Sequence, residues 1–210
     1  MSNDFPNLIP IFPLSGVIYF PKTNLPLNIF EQRYLDLVND VMRNNKLMGM
    51  VQAKKNDGEV YKVGCLGKIS DYIQAEDGRI LINLTGITRF EIKKEVNNEK
   101  KYREFVVDYE KFSGDLISLS REVLEKNELD SYRSEIKKFF DDNGLSLNWI
   151  EFEKLKIDQQ IHTLAMIAPI SNEEKQKLIE TTNLRETFKT LVSISIFYKY
   201  DENNGNKTLQ

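Results

Sequence analysis

One cysteine, one histidine and one tryptophan in 210 residues leave little of the chemistry that enzymes and metalloproteins draw on. Cys65 has no second thiol, which excludes an intramolecular disulfide. His162 has no Cys or His partner at ligand spacing, so neither a metal site nor a histidine-based acid-base pair is expected. A basic excess is missing as well. With 29 Lys and Arg against 32 Asp and Glu, the net charge is −3, which argues against a general nucleic-acid surface. No apolar run approaches the roughly 20 residues of a membrane span, so no membrane partner is expected. The opening residues have neither the basic region nor the apolar core of a secretory signal, so a cytoplasmic address is expected. The Asn-x-Thr triplets at Asn83 and Asn206 are then chance sequons.

Catalytic motifs are equally scarce. Gly64-Cys65-Leu66-Gly67-Lys68 lacks the upstream glycine spacing and the hydroxyl of a phosphate loop. Its GxxG matches an RNA-clamping KH loop, but that loop joins helices and this one sits among strands. No serine stands in a nucleophile elbow. Asp141-Asp142 and Glu173-Glu174 lie at predicted helix ends, where solvation or capping accounts for them. Cys65, in a strand pattern, reads as a small buried thiol. No cofactor and no catalytic residue is expected.

What is present is pattern. A chain of this length buries roughly 70% of its unfolded surface on folding. Pro13, Pro21 and Pro26 each remove a backbone donor, so the runs around them, Gly16 to Phe20 among them, are expected as short or edge strands. After Pro26 the period changes. Phe30, Tyr34, Leu37, Val38 and Val41 recur at three and four residues, predicting one buried stripe on a helix from near Glu31 to Asn44 or Asn45. Up to residue 112 a period of two dominates, with strands expected at 47–52, 65–74, 79–96 and 102–110 and turn chemistry at Asn56-Asp57-Gly58, Glu76-Asp77-Gly78 and Asn97-Asn98. Within the longest strand Ile80, Ile82 and Leu84 share a face and Ile87 falls out of phase. A bulge at Thr85-Gly86 is therefore expected.

Beyond Ser113-Gly114-Asp115 the period becomes helical. Leu129, Tyr132, Ile136, Phe139 and Phe140 form a stripe that ends at Gly144, a left-handed cap. Asp158 is expected to cap a helix carrying Ile161, Leu164 and Ala165 that stops before Pro169. Ser171 and Glu174 form a capping box for the next. A last helix, lined by Leu184, Phe188, Leu191, Val192 and Ser195, is expected to reach about Tyr200. The expected organisation is a β-rich subdomain 1–113, a helical subdomain 114–200 and a disordered tail 201–210.

The segment from residue 11 to 38 carries more large apolar side chains than two short strands hide by alternation. Some are therefore expected to line a groove or patch. The candidate peptide-binding residues, where the strand after Pro26 meets the first helix, are Leu27, Phe30, Glu31, Arg33 and Tyr34. Glu31 and Arg33 have a plainer reading as helix-start residues or a local ion pair.

These residues, from Phe12 to Val38, resemble the opening signature of the Lon N-terminal domain family, the substrate-binding region of the ATP-dependent protease Lon. Further blocks agree in order: Val63-Gly64-Cys65 with Lys68-Ile69, then Asp77-Gly78-Arg79 with Leu84 to Phe90, then Leu164-Ala165-Met166 with Pro169, and Glu174 to Glu180. The resemblance implies an α+β fold: a PUA-like pseudo-barrel of mainly antiparallel strands followed by an α-helical bundle. It also implies a stand-alone, non-catalytic module, since full-length Lon continues into an ATPase module and a Ser-Lys protease domain that these residues do not contain. Expected partners are unfolded or apolar protein segments and a protease, with an oligomer adding avidity. Two other readings are carried: an RNA-binding PUA-like protein using Lys93, Lys94 and Lys101, and a small-molecule enzyme with His162 or Cys65 in a deep pocket. Nucleic acid is the less favoured partner, because Glu91, Glu95, Glu99 and Glu104 interleave with the lysines.

Overall fold

The computed structural model describes residues 5–54, 58–117 and 126–205. The chain divides into two compact units, Met1–Ile117 and Ser118–Gln210.

The first unit contains strands β1 (Leu8–Leu14), β2 (Asn24–Ile29), β3 (Leu47–Ala53), β4 (Val60–Gln74), β5 (Ile80–Val96) and β6 (Arg103–Asp108), with helix α1 (Gln32–Met42) between β2 and β3 and a 3-10 helix, Glu110–Leu116, at its end. The strands form one six-stranded sheet in the order β2-β5-β4-β3-β1-β6, and β5 also pairs with β6. This corrects the expected pseudo-barrel. Among the described residues β2 pairs with β5 alone, which leaves the sheet an open edge, and β1 runs parallel to β3. Pro26, which has no N–H to give, is accommodated in β2 because that strand lies at the edge of the sheet.

Long β5 holds the sheet together because it bulges. Leu66 pairs with Thr88 and Gly67 with Gly86, leaving Ile87 as the extra residue one position from the expected slip. Lys93 is skipped in the same way between Ile92 and Lys94, where β5 turns to meet β6. The core beneath contains Ile9, Ile11, Val51, Leu66, Phe90, Phe105 and Val107. Helix α1 buries Tyr34, Leu37, Val38 and Val41 as its period requires. Phe30 leaves that stripe: it precedes the helix and stands out in solvent.

A second correction concerns Gly16 to Phe20, which forms no strand. Freed from alternation, Ile18, Tyr19 and Phe20 all turn inward and are buried. An irregular backbone thus hides apolar residues that a strand would have divided between two faces.

The second unit contains α2 (Lys126–Asp142), α3 (Trp149–Phe152), α4 (Ile157–Ile167), α5 (Asn172–Glu180) and α6 (Leu184–Gly205). Gly144 takes φ 74° and ends α2, with the Leu145 amide donating to the Phe140 carbonyl at 2.9 Å. The Ser171–Glu174 capping box is formed in both directions, at 3.2 and 2.9 Å. Asp158 does not cap α4: Lys156 occupies the cap position, its amide donating to Gln159, and Asp158 lies inside the first turn. Helix α6 passes Tyr200 and continues to Gly205, burying Leu184, Phe188, Leu191, Val192 and Ser195. The turn residues Asn56 and Asp57, the Leu129 side chain and residues 206–210 lie outside the described part.

Candidate functional site

The five candidate residues separate into two neighbouring surfaces of the first unit. Leu27 lies in β2 opposite Ile82 and points into the sheet's buried face. Phe30 follows the last residue of the same strand and is 66% exposed. Glu31 is the N-cap of α1 in extended conformation, and its carboxylate takes the Arg33 guanidinium at 2.8 Å instead of capping the helix. That local ion pair is the plainer of the two readings for these residues. Arg33 also lies over the Tyr34 ring at 4.5 Å, and Tyr34 meets Phe12 edge-on at 4.4 Å.

Arg33 and Tyr34 line a groove of about 230 Å³ together with the apolar Ile11, Pro13, Ala53 and Val60, with Gly58 and Glu59, and with Lys101, Tyr102 and Arg103. The cations at its rim are engaged. Arg103 takes both Glu95 oxygens at 2.7 Å and donates to the Gly58 carbonyl at 2.6 Å, and Lys101 reaches Asp36 at 3.3 Å. Arg103 draws the Glu95 carboxyl below its ordinary range. Burial and the hydrogen bond to Asp40 push the Tyr102 phenol up to about 12, so it remains a neutral donor. The groove therefore combines paired charges with apolar lining. Leu27, Phe30 and Glu31 do not line it.

The other surface was not legible from the chain. Ile73 of β4, Leu81 of β5 and Asn28 of β2 are register partners in a row across three strands, on the solvent face of the sheet. Ile73 is 62% and Leu81 44% exposed, and the row ends beside the turn from β2 into Phe30. Four exposed residues fill the stretch from Pro26 to Glu31 on this side: Pro26, Asn28, Phe30 and Glu31. The signal in the sequence was the apolar residue on the wrong phase of each strand, Ile73 and Leu81, which only pairing makes meaningful.

Elsewhere the placements leave little reactive chemistry. Cys65 is fully buried in β4, where burial pushes its thiol well above the ordinary range. His162 is buried on α4. Among the described residues no group of three or more His, Cys, Asp or Glu is gathered to hold a metal ion. Lys93 is paired with Glu91 at 2.6 Å and Asp108 at 3.3 Å, and Lys100 with Glu104 at 2.7 Å, which makes the basic hairpin a neutralised one. No helix among the described residues is long and apolar enough to cross a membrane.

Residues 8–194 match the family described as ATP-dependent protease La (LON) substrate-binding domain. The chain belongs to that family. It is 24% identical to the Lon protease of Buchnera aphidicola from Acyrthosiphon pisum over 195 residues, covering 89% of this chain and 24% of that protein. Lon protease 2 of Myxococcus xanthus is likewise 24% identical over 212 residues, covering 91% of this chain and 24% of that protein. The chain thus spans about a quarter of the length of these relatives. The fold is shared with a Lon N-terminal domain protein from Xanthomonas campestris, at a TM-score of 0.63 and 21% identity, with 89% of this chain and 97% of that one covered. The N-terminal domain of the Mycobacterium avium complex Lon protease gives 0.62 at 15% identity, over 90% and 97%. Residues 8–194 therefore form a domain of the Lon substrate-binding type.

Proposed function

We propose that this module binds apolar, extended segments of unfolded polypeptide where β2 passes into α1, using the row Ile73, Leu81 and Phe30 together with the neighbouring Arg33–Tyr34 groove. The observation that carries the reading is the exposure of three large apolar side chains around the end of one strand. Water gains by their covering. An apolar patch of ~400 Å² is worth roughly 10 kcal/mol at about 25 cal/mol/Å². Lost translational freedom and the ordering of a flexible chain offset most of that, so affinities of micromolar or weaker are expected. Weak, sequence-tolerant contact suits a module that meets many clients. Supply of clients to a protease is the role that fits the family, in the cytoplasm, with several copies adding avidity if the module assembles.

Titration of a fluorescently labelled, permanently unfolded protein tests this. The expected result is saturable binding in the micromolar range, weakened at least fivefold by Leu81→Ser with Ile73→Ser while the circular dichroism spectrum is unchanged. No binding up to several hundred micromolar would overturn it.

A further inference from the structure

Among the described residues strand β2 is bonded along one side only, to β5, and the phase of its bonding can be read from Pro26. In an antiparallel ladder successive residues turn their N–H and C=O groups alternately toward the partner and away from it. A proline inside a strand turns its nitrogen away, since it has no N–H to give. Pro26 pairs in register with Asn83, so Leu25, Leu27 and Ile29 bond to β5, and Asn24, Pro26 and Asn28 face the open edge. The side chains of these three outward residues are exposed, and β5 is the element packed closely against β2. The open edge thus offers the amides of Asn24 and Asn28 and three carbonyls, with one donor missing in the middle.

We propose that this edge captures its polypeptide by strand addition: the bound segment lies antiparallel to β2 as a seventh strand, and its main chain, not only its side chains, is recognised. The inference rests on the binding reading above and deepens it. Main-chain bonding is indifferent to sequence, which is what a receptor for many unfolded segments requires. Directly opposed residues of an antiparallel pair share a face, so the residues of the guest whose amides meet β2 also place their side chains on the face that carries Phe30, Leu81 and Ile73. A segment that alternates apolar and polar residues is therefore the preferred guest, with its apolar residues in the bonding positions.

A second copy of the chain fits the edge less well. Two β2 edges related by a two-fold axis overlap most fully with Asn24 opposite Asn28 and Pro26 opposite Pro26. That register sets two residues without amides at the centre, where both hydrogen bonds are lost. An extended guest with no proline at that point loses one.

The test uses the full chain and a labelled twelve-residue peptide of alternating valine and threonine. Two derivatives are N-methylated, one at the valines and one at the threonines. Valine methylation is expected to weaken binding at least tenfold and threonine methylation less than twofold. Asn28→Pro, which removes an outward amide, is expected to weaken the parent peptide tenfold with an unchanged urea midpoint, while Asn28→Ala binds as the native chain does. Equal binding of both methylated peptides, meaning recognition through side chains alone, overturns the proposal, and so does equal loss in both. A concentration-dependent dimer abolished by Asn28→Pro but untouched by the peptide also overturns it. Failure of the unmethylated peptide and of unfolded protein alike counts against the binding reading itself.

Discussion

The Asp115 carboxylate receives three hydrogen bonds from Arg89: from its backbone amide at 2.9 Å, from Nε at 3.0 Å and from Nη2 at 2.8 Å. Both side chains are buried, and the Phe112 ring lies under the guanidinium at 4.6 Å. The pair ties the 3-10 helix at the end of the first unit to the centre of β5.

Breaking one half of that pair leaves a charge in a dry site. Asp115→Asn is expected to destabilise the first unit by about 3–5 kcal/mol, read from urea unfolding. The double variant Arg89→Met with Asp115→Leu removes both charges and should lose clearly less than the single one.

Gly64 and Gly86 are required by approach, not by dihedral angle. A Cβ at Gly86 would run into the Phe20 carbonyl, and one at Gly64 into the Met50 carbonyl, so backbone would have to move. Gly86→Ala and Gly64→Ala should each cost about 1–3 kcal/mol. Gly114→Ala, which meets nothing within 4 Å, is expected to leave the thermal midpoint almost unchanged.

Buried Cys65 makes stability depend on alkaline pH. Burial raises its thiol pKa in the folded state, so the unfolded chain releases the proton first. The stabilisation is complete below the free-thiol value of about 8.5 and falls as pH rises above it, by at most ~1.4 kcal/mol per pH unit. Urea midpoints between pH 7.5 and 9.5 should fall more steeply for the native chain than for Cys65→Ala. The native thiol should also resist aromatic disulfide reagents until the protein unfolds.

At Ser171 the capping box satisfies two helix-end groups. Ser171→Ala should cost about 1 kcal/mol in the helical unit, and Ser171→Asp should retain most of that. Thermal unfolding followed at 222 nm distinguishes them.

Local physics made much of this chain readable without coordinates. The stripe of α1 apart from Phe30, the slip near Ile87, the cap at Gly144, the Ser171 box and the stop before Pro169 each depend on neighbours within a few residues, and each is found. Local pattern misled where a competitor stood nearby. Asp158 has capping chemistry, but the helix begins two residues earlier. The apolar run from Gly16 to Phe20 has strand composition but is folded inward as irregular chain.

The sequence alone determined the family, the periods and the poverty of reactive groups, because these depend on residue identity and short spacing. Only the tertiary structure decided that β2 would end the sheet, that Ile73 and Leu81 would meet, and that Arg89 would be answered by Asp115 twenty-six residues on. Such pairings join residues far apart in the chain, and their energy exists only after the loops between them have closed.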